Sequence, residues 1–176
     1  MTQVRPLFEF RTIELPREAD VCVRFCRDAY VCSFDDPDRY RTRTDDEYLI
    51  WLADLIAEIP QGCVHLLRNG EIAGQVVVNP RAGNPVGYVN LFYVVPAMRG
   101  TGAGDALHEY VVAVSASMGI GKLQLSVSPS NERAFRYYCK HGWVDLGPDP
   151  KHEEVHRMEL SLAERTKKRT AGEGSV

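Results

Sequence analysis

No apolar stretch in the 176 residues approaches the roughly 18 that a membrane-spanning helix needs, so the chain is not expected to enter a bilayer. Excess positive charge is missing as well. The chain has 21 Lys and Arg against 24 Asp and Glu, a net −3, which offers no basic field to nucleic acid. Only the short run Lys167-Lys168-Arg169 keeps that class in play. The start, Met1-Thr2-Gln3-Val4-Arg5-Pro6, lacks the apolar core of a secretory signal. Cysteine is sparse and unpatterned. Cys22, Cys26, Cys32, Cys63 and Cys139 form no C-x-x-C pair and leave an odd one over, which argues for reduced thiols in a cytoplasm. No set of His, Cys, Asp or Glu has metal-ligand spacing, so no metal is expected. The chain does have apolar residues, at 44%, enough to bury one substantial core. One domain over residues 1–162 is the expectation, with the polar, Gly- and Lys-rich residues 163–176 as a disordered tail.

Periodicity divides that core among elements. Phe8 to Leu15 alternates as a first strand, and Pro16-Arg17 leads into a helix to about Tyr30. A polar loop from Ser33 to Asp46 holds five aspartates. Thr44 and Glu47 have capping-box spacing for a helix whose Leu49, Ile50, Leu52, Leu55 and Ile56 are apolar. Gly62–Leu67, Asn69-Gly70 and Ile72–Val78 read as a hairpin around a type I′ turn. The apolar run Tyr88–Pro96 is a strand. A helix follows it, with Ala106, Leu107, Tyr110, Val111 and Val114 on one face, ended by Gly119 and Gly121. Lys122–Val127 is a further strand, Asn131 to about Lys140 a short helix stopped at Gly142, and Glu154–Leu160 the last strand. One βαβ crossover inside a run of hairpins predicts a mixed α/β sheet with helices on its faces.

The crossover carries the chemistry. Between its strand and helix stands Arg99-Gly100-Thr101-Gly102-Ala103-Gly104-Asp105. A glycine turn into a helix N-terminus leaves backbone N–H groups without intrahelical acceptors, and the helix dipole adds to them. That makes an anion site, phosphate above all, which glycines let come close and to which Arg99 can add a charged contact. A P-loop would need Lys-Ser/Thr after the last glycine, where Asp105-Ala106 stand. A dinucleotide fingerprint would put a third glycine at Asp105 and an acid about twenty positions on, where Gly121-Lys122-Leu123-Gln124-Leu125 stand.

The spacing Arg-x-x-Gly-x-Gly, met by Arg99, Gly102 and Gly104, resembles the acetyl-CoA signature of the GNAT N-acetyltransferase superfamily. A second block, Asn131-Glu132-Arg133-Ala134-Phe135-Arg136-Tyr137-Tyr138 with Gly142-Trp143, resembles that family's other signature. The resemblance covers roughly Gly70 to Leu160. It implies a mixed, mostly antiparallel central sheet with helices on both faces and parallel fourth and fifth strands splayed to admit a pantetheine arm. It implies acetyl-CoA as co-substrate, with its pyrophosphate on the amides of Gly100, Thr101, Gly102, Ala103, Gly104 and Asp105, and its pantetheine along the backbone of Phe92, Tyr93 and Val94. Asn131 corresponds to a cofactor-binding position and is equally a good helix N-cap. Tyr138 corresponds to the general acid that protonates the departing thiolate; Tyr137 packs.

The implied activity is acetyl transfer to a small-molecule or peptide amine by direct attack in a ternary complex. The alternative is a non-catalytic acyl-CoA-binding or sensing module. That alternative draws on one departure. Many relatives place a Glu on the fourth or fifth strand as base, whereas this chain offers Asn90 and Ser126. His65 and His156 are read first as packed strand residues and second as bases. Asp35 and Asp36, in the loop that covers the acceptor site in this family, are either solvated charges or a lure for a cationic amine. The sequence is silent on oligomeric state and compatible with a homodimer.

Overall fold

The computed structural model describes residues 7–36, 38, 43–81 and 85–163. The tail expected to be disordered therefore lies, from Glu164 on, outside the described residues. Seven strands form one sheet: β1 (Glu9–Thr12), β2 (Cys63–Arg68), β3 (Glu71–Pro80), β4 (Val86–Val94), β5 (Lys122–Val127), β6 (Val144–Asp149) and β7 (His152–Ser161). Their spatial order is β1-β2-β3-β4-β5-β7-β6, and every pairing is antiparallel except β4 with β5. Four α-helices, α1 (Ala19–Phe34), α2 (Asp45–Glu58), α3 (Ala103–Ser117) and α4 (Glu132–Lys140), cover both faces.

Alternation along the central strands feeds two cores. Val76, Val78 and Val89 pack with Leu107 and Val111 of α3 and with Tyr138 of α4. Val77, Leu91 and Tyr93 pack on the other face with Cys22 and Phe25 of α1 and Leu52 and Leu55 of α2. Burying each such aliphatic side chain contributes about 1.5–3 kcal/mol. Local signals do their part. Thr44 caps α2 as a complete capping box, its hydroxyl accepting from the Glu47 amide while the Glu47 carboxylate accepts from the Thr44 amide. Asn69 and Gly70 take φ of 53° and 83°, as a type I′ turn requires.

Three elements depart from the sequence reading. β1 is shorter, because its ladder on β2 ends at Thr12↔Val64. α1 runs on to Phe34 and stops where Asp35 turns left-handed at φ 57°. Strand β6 was not anticipated at all. It carries Gly147 and Pro148 and pairs with β7 through two register shifts, so it shows no period of two.

The α1 face also encloses a polar knot. His65, 0% exposed, faces the Glu18 carboxylate from Nδ1 at 3.1 Å and the Gln75 carbonyl oxygen from Nε2 at 3.1 Å. Glu18 also accepts from Arg11 and from the Glu14 amide. Burial holds the His65 imidazole below its ordinary pKa despite the carboxylate beside it.

Candidate active site

β4 and β5 pair only at Val86↔Lys122, Gly87↔Leu123 and Tyr88↔Gln124. Beyond Tyr88 they diverge, and the rest of β4 carries backbone with no strand on its β5 side. A bulge sits at the same place. Val78 pairs with Val89 and Val77 with Leu91, which leaves Asn90 as the extra, exposed residue. Val89 and Leu91 therefore face opposite cores. The opening is a cleft of about 1260 Å³, lined by β4, β5, the glycine turn, α1, α2, α4 and the β6–β7 turn.

At one end of the cleft the 3-10 turn Pro96–Met98 hands the chain to the glycine turn. Gly100 and Gly102 take φ of 77° and 90°, and nothing lies within 4 Å of a Cβ built on either. Gly102 is the N-cap of α3 and brings no side chain to the first-turn amides, so a ligand can approach them. Gly104 has another reason to be glycine, since a Cβ there would meet the Tyr137 ring at 3.4 Å. Arg99 folds back along β4, with Nε donating to the Val94 carbonyl at 2.9 Å and a terminal nitrogen 3.6 Å from the Cys32 sulfur of α1. Asp105 takes a hydrogen bond from His141 Nε2 at 3.0 Å.

Of the residues singled out from sequence, Phe92, Tyr93, Val94, Arg99, Gly100, Gly102, Gly104, Asp105, Asn131 and Tyr138 line this cleft. Thr101 and Ala103 do not. The Thr101 hydroxyl donates back to the Met98 carbonyl, and the Ala103 side chain is buried in the core. Asn131 is the N-cap of α4, its Oδ1 accepting from the Ala134 amide at 3.3 Å. Tyr93 turns its side chain to the α1 face, where its hydroxyl donates to Asp28; burial first and that bond second push it up to about 12.

Tyr138 is 8% exposed, wedged edge-on among Phe92, Tyr137 and Trp143. Burial pushes its hydroxyl well above the ordinary tyrosine range, so it keeps its proton at neutral pH. Trp143 is itself fixed, its indole N–H donating to His108 Nε2 at 3.0 Å. No base stands opposite on the two strands. Asn90 has no basic atom, and Ser126 Oγ accepts from the Tyr88 hydroxyl at 2.9 Å. Neither His65, locked in its knot, nor His156, bonded to Asp145 at 2.9 Å, lines the cleft; the histidine that does is His152.

Asp35 caps α1, Asp36 Oδ1 accepts from the Asp38 amide, and neither lines the cleft. The carboxylates that do are Asp45, Asp105 and Asp149, which take hydrogen bonds from Arg27, His141 and Arg157. Against these three, among the described residues, stand eight cations: Arg27, Arg43, Arg81, Arg99, Arg133, Lys140, Lys151 and Arg157. Most of these basic residues went unmarked in the sequence, because they are scattered over six segments with no common spacing. Among the described residues, no group of three or more His, Cys, Asp or Glu is placed to hold a metal, and no helix is long and apolar enough to cross a membrane.

Known proteins resemble the chain at three levels. The fold is that of Ard1 from Thermoplasma volcanium, with TM-score 0.69 and 19% identity over 89% of this chain and 98% of that one. A spermidine N-acetyltransferase from Vibrio cholerae, in complex with CoA and spermine, is similar at TM-score 0.69 and 14% identity, over 89% and 96%. An uncharacterized N-acetyltransferase of Mycobacterium tuberculosis (strain H37Rv) is 41% identical over 51 residues, 29% of this chain. That stretch covers 33% of the length of the mycobacterial relative. The model of the acetyltransferase (GNAT) family matches residues 24–143, from α1 through the cleft to Trp143, and to that family the chain belongs.

Proposed function

We propose that residues 1–162 form one domain that transfers an acetyl group from acetyl-CoA to a primary amine by direct attack in a ternary complex. The observation that carries this is the convergence of three features on one cleft: the diverging edge of β4, the uncapped amides of α3, and the buried, protonated Tyr138. The cleft suits coenzyme A on physical grounds. Gly100 and Gly102 leave open space over a helix N-terminus, and Arg99, Arg133 and Lys140 supply positive charge nearby. In this reading the amides of Gly100–Asp105 hold the pyrophosphate and the backbone of Phe92–Val94 holds the pantetheine arm, as a neighbouring strand would. Bound acetyl-CoA supplies a thioester, an activated acyl group.

The residues then have three tasks. The strand edge orients the thioester beside the bulge at Asn90, so that the amine attacks from a fixed position. The amine nitrogen bonds to the carbonyl carbon and the carbon–sulfur bond breaks. Tyr138 gives its proton to the departing sulfur and regains one from solvent. The amine must arrive deprotonated, and it sheds its second proton on becoming an amide. With Asn90 and Ser126 on the strands, both protons leave through water. Five cysteines with no disulfide among them suit a reducing cytoplasm.

The missing strand carboxylate favours one other reading, an acyl-CoA-binding module without turnover. A panel of amines and peptides incubated with acetyl-CoA, with free thiol as readout, separates the two. Thiol release that depends on an amine supports transfer. Calorimetric binding of coenzyme A with no amine-dependent thiol from any acceptor class overturns it in favour of the binding module.

A further inference from the structure

Cleft charge is divided between two ends. β4 spans about 20 Å from Tyr88 to Val94 at the usual rise per residue. The glycine turn, with Arg99 close by, lies beyond Val94. Arg81 follows β3 at the opposite end, where Pro80 pairs with Gly87 and where β4 and β5 still touch. There the Arg81 guanidinium lies over the Tyr88 ring at 5.2 Å. On the α2 side, Arg43 lies over the Trp51 ring at 4.9 Å. Stacking fixes the plane of a guanidinium and leaves its N–H edge for a carboxylate. One more polar atom of a cleft-lining residue, Arg27 Nε, is buried without a hydrogen bond. Asp45 and Asp149 already hold Arg27 and Arg157. Among the described residues, Arg43, Arg81 and Lys151 are left as the excess.

We infer that the acceptor is an amine that also carries a carboxylate, an amino acid or an acidic peptide terminus, received by Arg81 and Arg43. This rests on the acetyl-transfer reading and specifies its second substrate. A polycationic amine entering the same space would meet a net excess of like charge, with the carboxylates there already bonded to arginines. The inference also answers the want of a base on β4 and β5. Positive neighbours disfavour an ammonium, so they lower its pKa and raise the fraction of free amine, with the proton passing to water. A carboxylate lure would do the reverse. The arginines bind the acceptor through its carboxylate, while the surrounding positive charge prepares its nitrogen.

The test uses matched acceptors. Each pair has the same primary amine, once with a free carboxylate and once with the carboxamide at that carbon, and spermidine is included; thiol release from acetyl-CoA is measured for all. The carboxylate member should have the higher kcat/KM by about tenfold or more, the scale of a charged hydrogen bond. Arg81→Gln should raise KM for the carboxylate member by a similar factor while leaving the carboxamide member and the KM for acetyl-CoA where they were. A merely structural role for Arg81 would shift both members together. Equal or faster turnover of the carboxamides, or spermidine as the best substrate, overturns the charge assignment and leaves acetyl transfer standing. Arg81→Gln weakening coenzyme A instead of the acceptor also overturns it, by assigning that arginine to the cofactor. No amine-dependent thiol from any member overturns acetyl transfer itself, and this inference with it.

Discussion

Replacing Tyr138 by Phe isolates one oxygen. The ring sits edge-on to Phe92, Tyr137 and Trp143, with centroids at 6.0, 5.7 and 5.6 Å, and Phe keeps all three contacts. Stability should therefore move by no more than the net worth of one hydrogen bond, about 0.5–1.5 kcal/mol. Affinity for coenzyme A should hold, because the glycine turn and the β4 backbone are untouched. Turnover should not hold. A positioned general acid is worth roughly 10²–10⁴ in rate, and that equals about 2.7–5.4 kcal/mol of barrier. The assay is single-turnover thiol release at saturating acetyl-CoA and acceptor, with coenzyme A binding followed by calorimetry on the same preparation.

The pH profile adds an independent constraint on Tyr138. Its pKa is raised from the ordinary 10.0 because burial penalises the phenolate. The acid form is therefore present throughout the neutral and mildly alkaline range, and the wild-type profile should show no falling limb from this group below about pH 10. A single-turnover rate for the Phe variant within about threefold of wild type removes Tyr138 from the chemistry, since general-acid catalysis demands at least 10². A falling limb near pH 8 that vanishes in the Phe variant would refute the burial argument even if the rate fell.

Three other perturbations follow from the same geometry. Gly102→Ala forces an L-residue to φ 90° and should cost about 1–2 kcal/mol of stability together with coenzyme A affinity, whereas Gly104→Ala asks only for a shift of the Tyr137 ring; denaturant melts and calorimetry on both separate the two, and equal effects would contradict it. Arg99→Ala should weaken coenzyme A by about 1–3 kcal/mol, and unchanged binding in a folded variant would confine Arg99 to bracing the Val94 carbonyl. His65 is held below its unfolded pKa of 6.5, so the unfolded chain takes up a proton that the native state refuses, and stability should drop as pH falls through 6.5; Glu18, lowered from 4.5, adds a further loss below that value. A thermal midpoint unchanged between about pH 7 and 5 would mean that the knot opens to water.

The fold was legible where structure is decided within a few residues. Thr44 and Glu47 need only each other, and Asn69-Gly70 and Gly142 need only their own φ, so each lies where its sequence signal put it. The parallel pair β4–β5 followed from a strand, a helix and a strand in succession, joined by the glycine turn. Strand β6 failed for the opposite reason. Gly147 takes φ 87° and Pro148 has no amide hydrogen, and both interrupt alternation. What makes Val144–Asp149 a strand is β7, which it meets at Asp145↔Met158 and again, after a shift, at Pro148↔His156. Such a partner cannot be read from the segment itself.

The site divides along the same line. The glycine turn is a contiguous motif, and it stands between β4 and α3, where the sequence puts it. The rest of the cleft lining is drawn from α1, α2, the end of β3 and the β6–β7 turn, segments that share no contiguous motif. Five aspartates crowd between Ser33 and Asp46, yet Asp35 and Asp36 end a helix and a turn outside the cleft, and Asp45, which does line it, is tied to Arg27. Arg43, from the same segment, and Arg81, from the end of β3, line the cleft with their guanidinium groups over aromatic rings. A net charge of −3 counts every exposed acid equally and describes how the whole molecule meets a distant charge. An acceptor amine inside the cleft responds first to the groups that line it, and among the described residues cations there outnumber carboxylates. The sign of the local field, not of the sum, decides whether that amine enters as an ammonium or sheds its proton first.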